Sequence, residues 1–122
     1  MILIDTNFLI YLSKAQNKAS EFIWRQLEAG QKFCISPIIL IEFLSYVSIS
    51  ENEKKFFFNI LGQFTFIELN MAIALKAVDL RKQYHLKLGD SIIAATAITQ
   101  NVSLLSYDED FAKVKELKMV NI

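Results

Sequence analysis

The apolar positions of the chain fall in short blocks, some continuous and some recurring at helical spacing. Met1 to Ile4 is a continuous apolar run suited to a strand buried on both faces. It stops at Asp5-Thr6-Asn7, three residues that can each cap a helix, before Phe8 to Leu12 resumes the apolar pattern. A strand turning directly into a helix is expected there. Lys18 to Ala29 reads as a helix ending at Gly30, and Lys32 to Ser36 as a second strand. Ser36-Pro37 then opens a nearly all-apolar helix to about Val47, and Ser50-Glu51-Asn52-Glu53 opens another that runs to Gly62. Phe64 to Leu69 reads as a third strand, and Asn70 caps a helix reaching about Tyr84. After a break at His85 to Gly89 come a helix from Asp90 to Gln100, a fourth strand from Ser103 to Tyr107, a short helix from Asp108 to Glu116 and a fifth strand from Lys118 to Ile122. This alternation predicts an α/β domain with a central parallel five-stranded sheet flanked by helices.

Composition narrows the class. A chain of 122 residues with 53% hydrophobic positions fits one domain and is too apolar to stay disordered. The single cysteine, Cys34, excludes an internal disulfide and suits a reducing compartment. Thirteen basic residues balance thirteen acidic ones, so no net basic field announces a nucleic-acid binder. The longest uncharged stretches are broken by polar residues, and Asp5 comes too early for a signal peptide. The chain is expected to be soluble and cytoplasmic, without a membrane partner.

Most acids lie among other polar residues, but four do not. Asp5 follows Met-Ile-Leu-Ile, Glu42 is embedded in Ile-Ile-Leu-Ile-Glu-Phe-Leu, Asp90 opens Ser-Ile-Ile-Ala-Ala-Thr-Ala, and Asp108 ends Leu-Leu-Ser-Tyr. Carboxylates in such surroundings are costly unless something pairs with them, and only Lys87 lies close to any of them. Singly, Asp5, Asp90 and Asp108 read as helix caps; Glu42, inside its helix, does not. Ligands of open parallel sheets bind beyond the carboxyl ends of the strands. Asp5 and Asp108 stand at two such ends, Asp90 opens the helix leading into the second of those strands, and Glu42 lies early in the helix leaving another. The four are therefore expected to converge on one cleft. Alone they would repel each other and raise their own pKa values. Oxygen-only ligation without His or Cys selects Mg²⁺ or Mn²⁺ over zinc, as in phosphodiester hydrolysis.

The ordered set Asp5-Thr6-Asn7, Glu42 after Ser36-Pro37, Lys87-Leu88-Gly89-Asp90-Ser91-Ile92-Ile93-Ala94-Ala95-Thr96-Ala97 and Ser106-Tyr107-Asp108-Glu109-Asp110-Phe111 resembles the PIN-domain ribonucleases. The likeness is to their small VapC-type toxins of prokaryotic toxin–antitoxin pairs, and it covers essentially the whole chain. It implies a single PIN-like nuclease domain over residues 1–122 and a metal-dependent endoribonuclease. By position it implies Asp5, Glu42, Asp90 and Asp108 as the catalytic and metal-holding quartet. Thr6 and Asn7 match residues that support the first Asp through hydrogen bonds, and Ser106 matches a hydroxyl that props the site. Asp110 either braces the last helix or contributes to a second metal site. A homodimer and a cognate antitoxin are also implied.

Other residues are expected to have plainer roles: His85 in a loop, Cys34 as inert core, Trp24 as half-buried packing. Phe56-Phe57-Phe58 differs, because three successive helical residues cannot share one core face. At least one should be exposed, and the helix carrying them, with the Ile38–Val47 helix, is expected to bound an antitoxin groove. Lys54, Lys55, Arg81, Lys82 and Lys87 are candidate bases for an RNA backbone. Two other readings remain. One is a PIN nuclease with a housekeeping RNA-processing or DNA-directed role. The other is a non-catalytic receiver-like module, which needs an aspartate at the third strand; Glu68 stands there instead.

Overall fold

The computed structural model describes residues 1–14 and 18–121, Ala19 among them by its backbone alone. The first apolar run becomes strand β1 (Ile2–Ile4), buried along its whole length as a two-sided strand must be. Asp5 ends it and caps helix α1 (Thr6–Ser13), its carboxylate accepting from the Thr6 backbone N–H. Helix α2 (Lys18–Glu28) follows, and Gly30 takes a left-handed φ of 87° where the chain turns back. Strand β2 (Phe33–Ile35) leads into α3 (Pro37–Ser45), with proline at the helix start. Helix α4 (Glu51–Leu61) opens with a complete Ser50–Glu53 capping box, and strand β3 (Thr65–Phe66) follows it. Helices α5 (Met71–Tyr84) and α6 (Leu88–Thr99) pack side by side before β4 (Ser103–Leu105) and a 3-10 turn, Glu109–Lys113.

The strands form a parallel sheet in the order β3-β2-β1-β4. From β1 the chain moves to β2 on one side and returns to β4 on the other, so a topological switch lies at the carboxyl ends of β1 and β4. Asp5 and Ser106 immediately follow those ends. The core packs on both faces of the sheet; Phe43 of α3 stacks on Phe57 of α4 with ring centroids 4.8 Å apart.

Several boundaries differ from expectation: the third strand keeps only Thr65–Phe66 of Phe64–Leu69, the fourth stops at Leu105 and α3 stops at Ser45. The fifth strand is a single bridge between Met119 and Leu104, while Ile122 lies outside the described residues. Lys118, Met119 and Val120 pair with β4 through only two backbone hydrogen bonds, to and from Leu104, at an edge with nothing beyond it to extend. The helix expected from Asp108 is a 3-10 turn capped by the Asp108 carboxylate. Helix α6 begins at Leu88, not Asp90, because Gly89 sits within the first helical turn and does not break it. Ser36 occupies the cap position of α3, yet its hydroxyl makes no capping bond. Among the described residues no helix is long and apolar enough to cross a membrane.

Candidate active site

Asp5 is held at the switch point by both neighbouring strand ends. It is only 4% exposed. Its Oδ1 accepts from the Thr6 N–H at 2.7 Å, and its Oδ2 accepts from the Ser106 hydroxyl at 2.6 Å. The Ser106 oxygen in turn accepts from the Asp108 backbone N–H at 3.0 Å. One hydroxyl thus ties the residue after β1 to the segment after β4, the propping position foreseen for Ser106.

Glu42 sits in the middle of α3, later in its helix than expected, and turns its carboxylate toward Asp5. The Thr6 hydroxyl donates to Glu42 Oε1 at 2.7 Å. Thr6 therefore supports Asp5 through its backbone and Glu42 through its side chain. Asn7 lies exposed at the cleft wall, and among the described residues its side chain makes no hydrogen bond to Asp5. Gly89 is the residue the sequence reading passed over. A Cβ there would stand 2.7 Å from Glu42 Oε2. Nothing in its helical backbone calls for glycine, so its part is to leave room for the carboxylate. The signal available was a glycine placed directly before the acid Asp90 in an otherwise good helix former.

Asp90 is the third residue of α6 and bridges two groupings of acids. With Asp5, Thr6, Asn7, Glu42 and Tyr46 it lines a cleft of about 200 Å³. With Asp108 and Asp110 it offers carboxylate oxygens that all lie within 4.8 Å of one another. Asp108 itself is pinned by accepting from the Asp110 N–H at 2.9 Å. The four acids singled out in the sequence are thus gathered at one end of the sheet, with Asp110 beside them.

Electrostatics explains why such a cluster wants a counter-ion. Burial pushes Asp5 up to about 6; Asp90 and Asp108 add repulsion, against the opposing hydrogen bonds from Ser106 and Thr6. Burial also raises Asp90, followed by repulsion from Asp108, Glu42 and Asp110, with Lys87 alone pulling the other way. Because Asp5 is raised above its ordinary value of 3.8, the folded chain takes up a proton between those two values that the unfolded chain does not. Metal-free protein should therefore gain stability as pH falls from 7 to 5, by about 1 kcal/mol from Asp5 alone. Thermal melts in EDTA at the two pH values check this, and Asp5→Asn should flatten the difference. A lower melting temperature at pH 5 would contradict the sign.

The remaining candidates settle into structure. Cys34 is wholly buried and its thiol is pushed up to about 12 by burial. His85 takes a left-handed conformation (φ 57°) and ends α5, its N–H bonding the Arg81 carbonyl. The three phenylalanines part as geometry requires: Phe57 is core, Phe56 is half-buried and Phe58 is 58% exposed. The larger groove near them is not between α3 and α4. It has a volume of about 600 Å³ and is walled by Leu12 of α1, Trp24 and Arg25 of α2 and Phe56 of α4.

Comparison with known proteins places this geometry. The PIN domain family model matches residues 2–117. Ribonuclease VapC1 of Rickettsia felis is 33% identical over 99% of this chain and 96% of its own length. A toxin–antitoxin complex from Klebsiella pneumoniae contains a chain that superposes with a TM-score of 0.80 at 31% identity, covering both chains fully. VapBC2 from Rickettsia felis, solved bound to a DNA fragment from its promoter, shares the fold at a TM-score of 0.83 and 21% identity over 99% of this chain and 98% of that one. A family-model match over residues 2–117, a whole-length sequence match and a shared fold lead to one assignment: the chain belongs to the PIN-domain family, in its VapC branch.

Proposed function

We propose that this chain is a divalent-metal-dependent endoribonuclease, a single nuclease domain over residues 1–122 and the toxin of a toxin–antitoxin pair. The carrying observation is the gathering of Asp5, Glu42 and Asp90 on one cleft, with Asp108 beside Asp90. The donor set fits a hard cation. It is all oxygen, its acids repel one another, and among the described residues no ion pair neutralises any of them. Asp5, Glu42, Asp90 and Asp108 are the residues that would hold Mg²⁺ or Mn²⁺. When bound, such an ion supplies charge for the phosphate and acidifies water for attack.

The chain's own residues do the orienting. Ser106 and the Thr6 N–H fix both oxygens of Asp5, and the Thr6 hydroxyl fixes one of Glu42, so these carboxylates are set before substrate arrives. Lys87, beside Asp90, offers a positive charge to the RNA backbone at the rim, with Arg81 and Lys82 at the end of α5 as further bases. Leu69, Met71, Leu75, Val78 and Leu88 leave apolar surface along α5 and the start of α6 that a second copy can cover, supporting a homodimer. The Klebsiella relative was solved in a toxin–antitoxin complex. The groove walled by Trp24 and Phe56 suits an amphipathic helix of such a partner.

The test is cleavage of single-stranded RNA by the purified chain, with and without Mg²⁺ or Mn²⁺. Internal cuts should appear with metal, vanish in EDTA and return when metal is restored. Brief induction without the antitoxin, followed by sequencing of RNA ends, would then identify the RNA. Cleavage that persists in EDTA would remove the metal from the mechanism, and absence of any cleavage would remove the reading itself.

A further inference from the structure

A second pocket adjoins the acidic cleft, and its walls are aromatic. It has a volume of about 460 Å³ and is bounded by Asn7, Ile10, Tyr11, Tyr107 and Asp108. Asn7 and Ile10 also line the acidic cleft, so the two spaces share a wall. Tyr107 stands between the two residues that connect it most directly to the site: Ser106, bonded to Asp5, and Asp108, in the acid cluster. Its ring is braced from behind by the wholly buried Phe8, at a centroid distance of 5.0 Å. Tyr11 meets it edge to face at 5.5 Å. Yet the two tyrosines remain 48% and 49% exposed, so each keeps part of its apolar ring in solvent.

Rigid backing with an open face is what a stacking platform requires. Single-stranded RNA is recognised by laying unstacked bases on aromatic rings and reading their edges with nearby amides. Asn7, exposed in the same wall, carries such an amide. The acids beside the pocket would repel an unneutralised phosphate, so what enters here is the uncharged part of a nucleotide. We propose that Tyr107, with Tyr11 as its side wall, is the stacking site for the base adjoining the cleaved phosphodiester. This rests on the ribonuclease reading and adds to it the residue that selects an unstacked base.

The experiment is steady-state cleavage of a short single-stranded RNA by wild type, Tyr107→Ala, Tyr107→Leu and Tyr107→Phe. Binding of the same RNA carrying 2-aminopurine beside the cut is measured in parallel. Loss of one base–aromatic stack should raise KM and the binding constant of Tyr107→Ala by about 10- to 100-fold, with kcat little changed. Tyr107→Leu, which still covers Phe8, should lose nearly as much, and Tyr107→Phe should recover wild-type behaviour. Substrates with an abasic ribose at each flanking position in turn supply the cross-check. One of them should weaken wild type by the same factor and cost Tyr107→Ala nothing further. Melting temperatures of the variants keep a folding defect from passing as lost binding.

If Tyr107→Ala and Tyr107→Leu fold, bind and cut like wild type, the platform is refuted while the nuclease reading stands. Loss of activity in Tyr107→Phe as well would assign the effect to the hydroxyl and overturn stacking. Normal RNA cleavage with weakened antitoxin binding would make this a protein-contact surface instead. A wild type that neither binds nor cuts RNA, and is indistinguishable from Asp5→Asn, would fell the nuclease reading and this inference together.

Discussion

Asp5→Asn and Asp90→Asn are each expected to slow RNA cleavage about 1,000-fold or more at saturating Mg²⁺, with the fold intact. A catalytic cation supplies several kcal/mol of transition-state charge stabilisation, and each 1.36 kcal/mol lost is tenfold in rate. Asn keeps the shape of Asp: its amide oxygen can accept from the Thr6 N–H while its NH2 donates to the Ser106 hydroxyl oxygen, so both contacts at position 5 can survive the change. What it removes is negative charge from a cluster that already repels itself, as the raised Asp5 and Asp90 show. The same substitutions should therefore leave the metal-free protein as stable at pH 7 as wild type, or more so. Asp108→Asn should cost less, because Asp108 is more exposed than Asp5 and accepts from the Asp110 N–H through one oxygen, which an amide oxygen can replace. Cleavage rates and EDTA melts on the same preparations check both halves. Undiminished cleavage by Asp5→Asn would end its assignment as a metal-holding residue.

Gly89→Ala should cost far more in activity than in stability. In an ordinary helical position, Ala is favoured over Gly by about 0.8–1.0 kcal/mol. Here the added Cβ would lie 2.7 Å from Glu42 Oε2, a distance no folded protein keeps. The obstructing atom is the end of a flexible side chain, so Glu42 can swing away without disturbing the backbone. Doing so breaks its 2.7 Å hydrogen bond from Thr6 and takes the carboxylate out of the cleft. Loss of such a positioning contact typically costs about 10- to 100-fold in metal affinity or activity. The expected result is a folded protein that melts close to wild type, the helix gain offset by the lost Thr6 bond, but cuts RNA about 10- to 100-fold more slowly. Titration with Mn²⁺ should show weaker binding of the ion. Wild-type cleavage by Gly89→Ala would mean that Glu42 is not needed where the structure puts it.

Much of this protein was legible from local pattern. Helix α5 runs from Met71 to Tyr84 as read, because Asn70 caps it through the Ile73 N–H and His85 closes it in a left-handed turn. The Ser50–Glu53 capping box and the buried run of β1 were legible for the same reason: their determinants lie within a few residues of one another. The separation of Phe56, Phe57 and Phe58 followed from helical geometry alone. The acids could be nominated too, since a carboxylate in an apolar run demands an explanation wherever the chain folds.

What tertiary structure alone decided are the relations between distant segments. Ser106 and Asp5 are 101 positions apart, and only the pairing of β4 beside β1 brings that hydroxyl to that carboxylate. The hydroxyl of Thr6, read as support for its neighbour, turns to Glu42 because α3 packs across α1. Gly89 shows its purpose only when Glu42, 47 positions earlier, is seen filling the space its missing Cβ leaves. The fifth strand shrank to one bridge because strand length at a sheet edge depends on how many partner groups are within reach, not on the apolar character of the segment. Sequence determines which groups are costly to bury and which local turns are cheap. Which costly group meets which, and at what distance, is set by packing across the sheet.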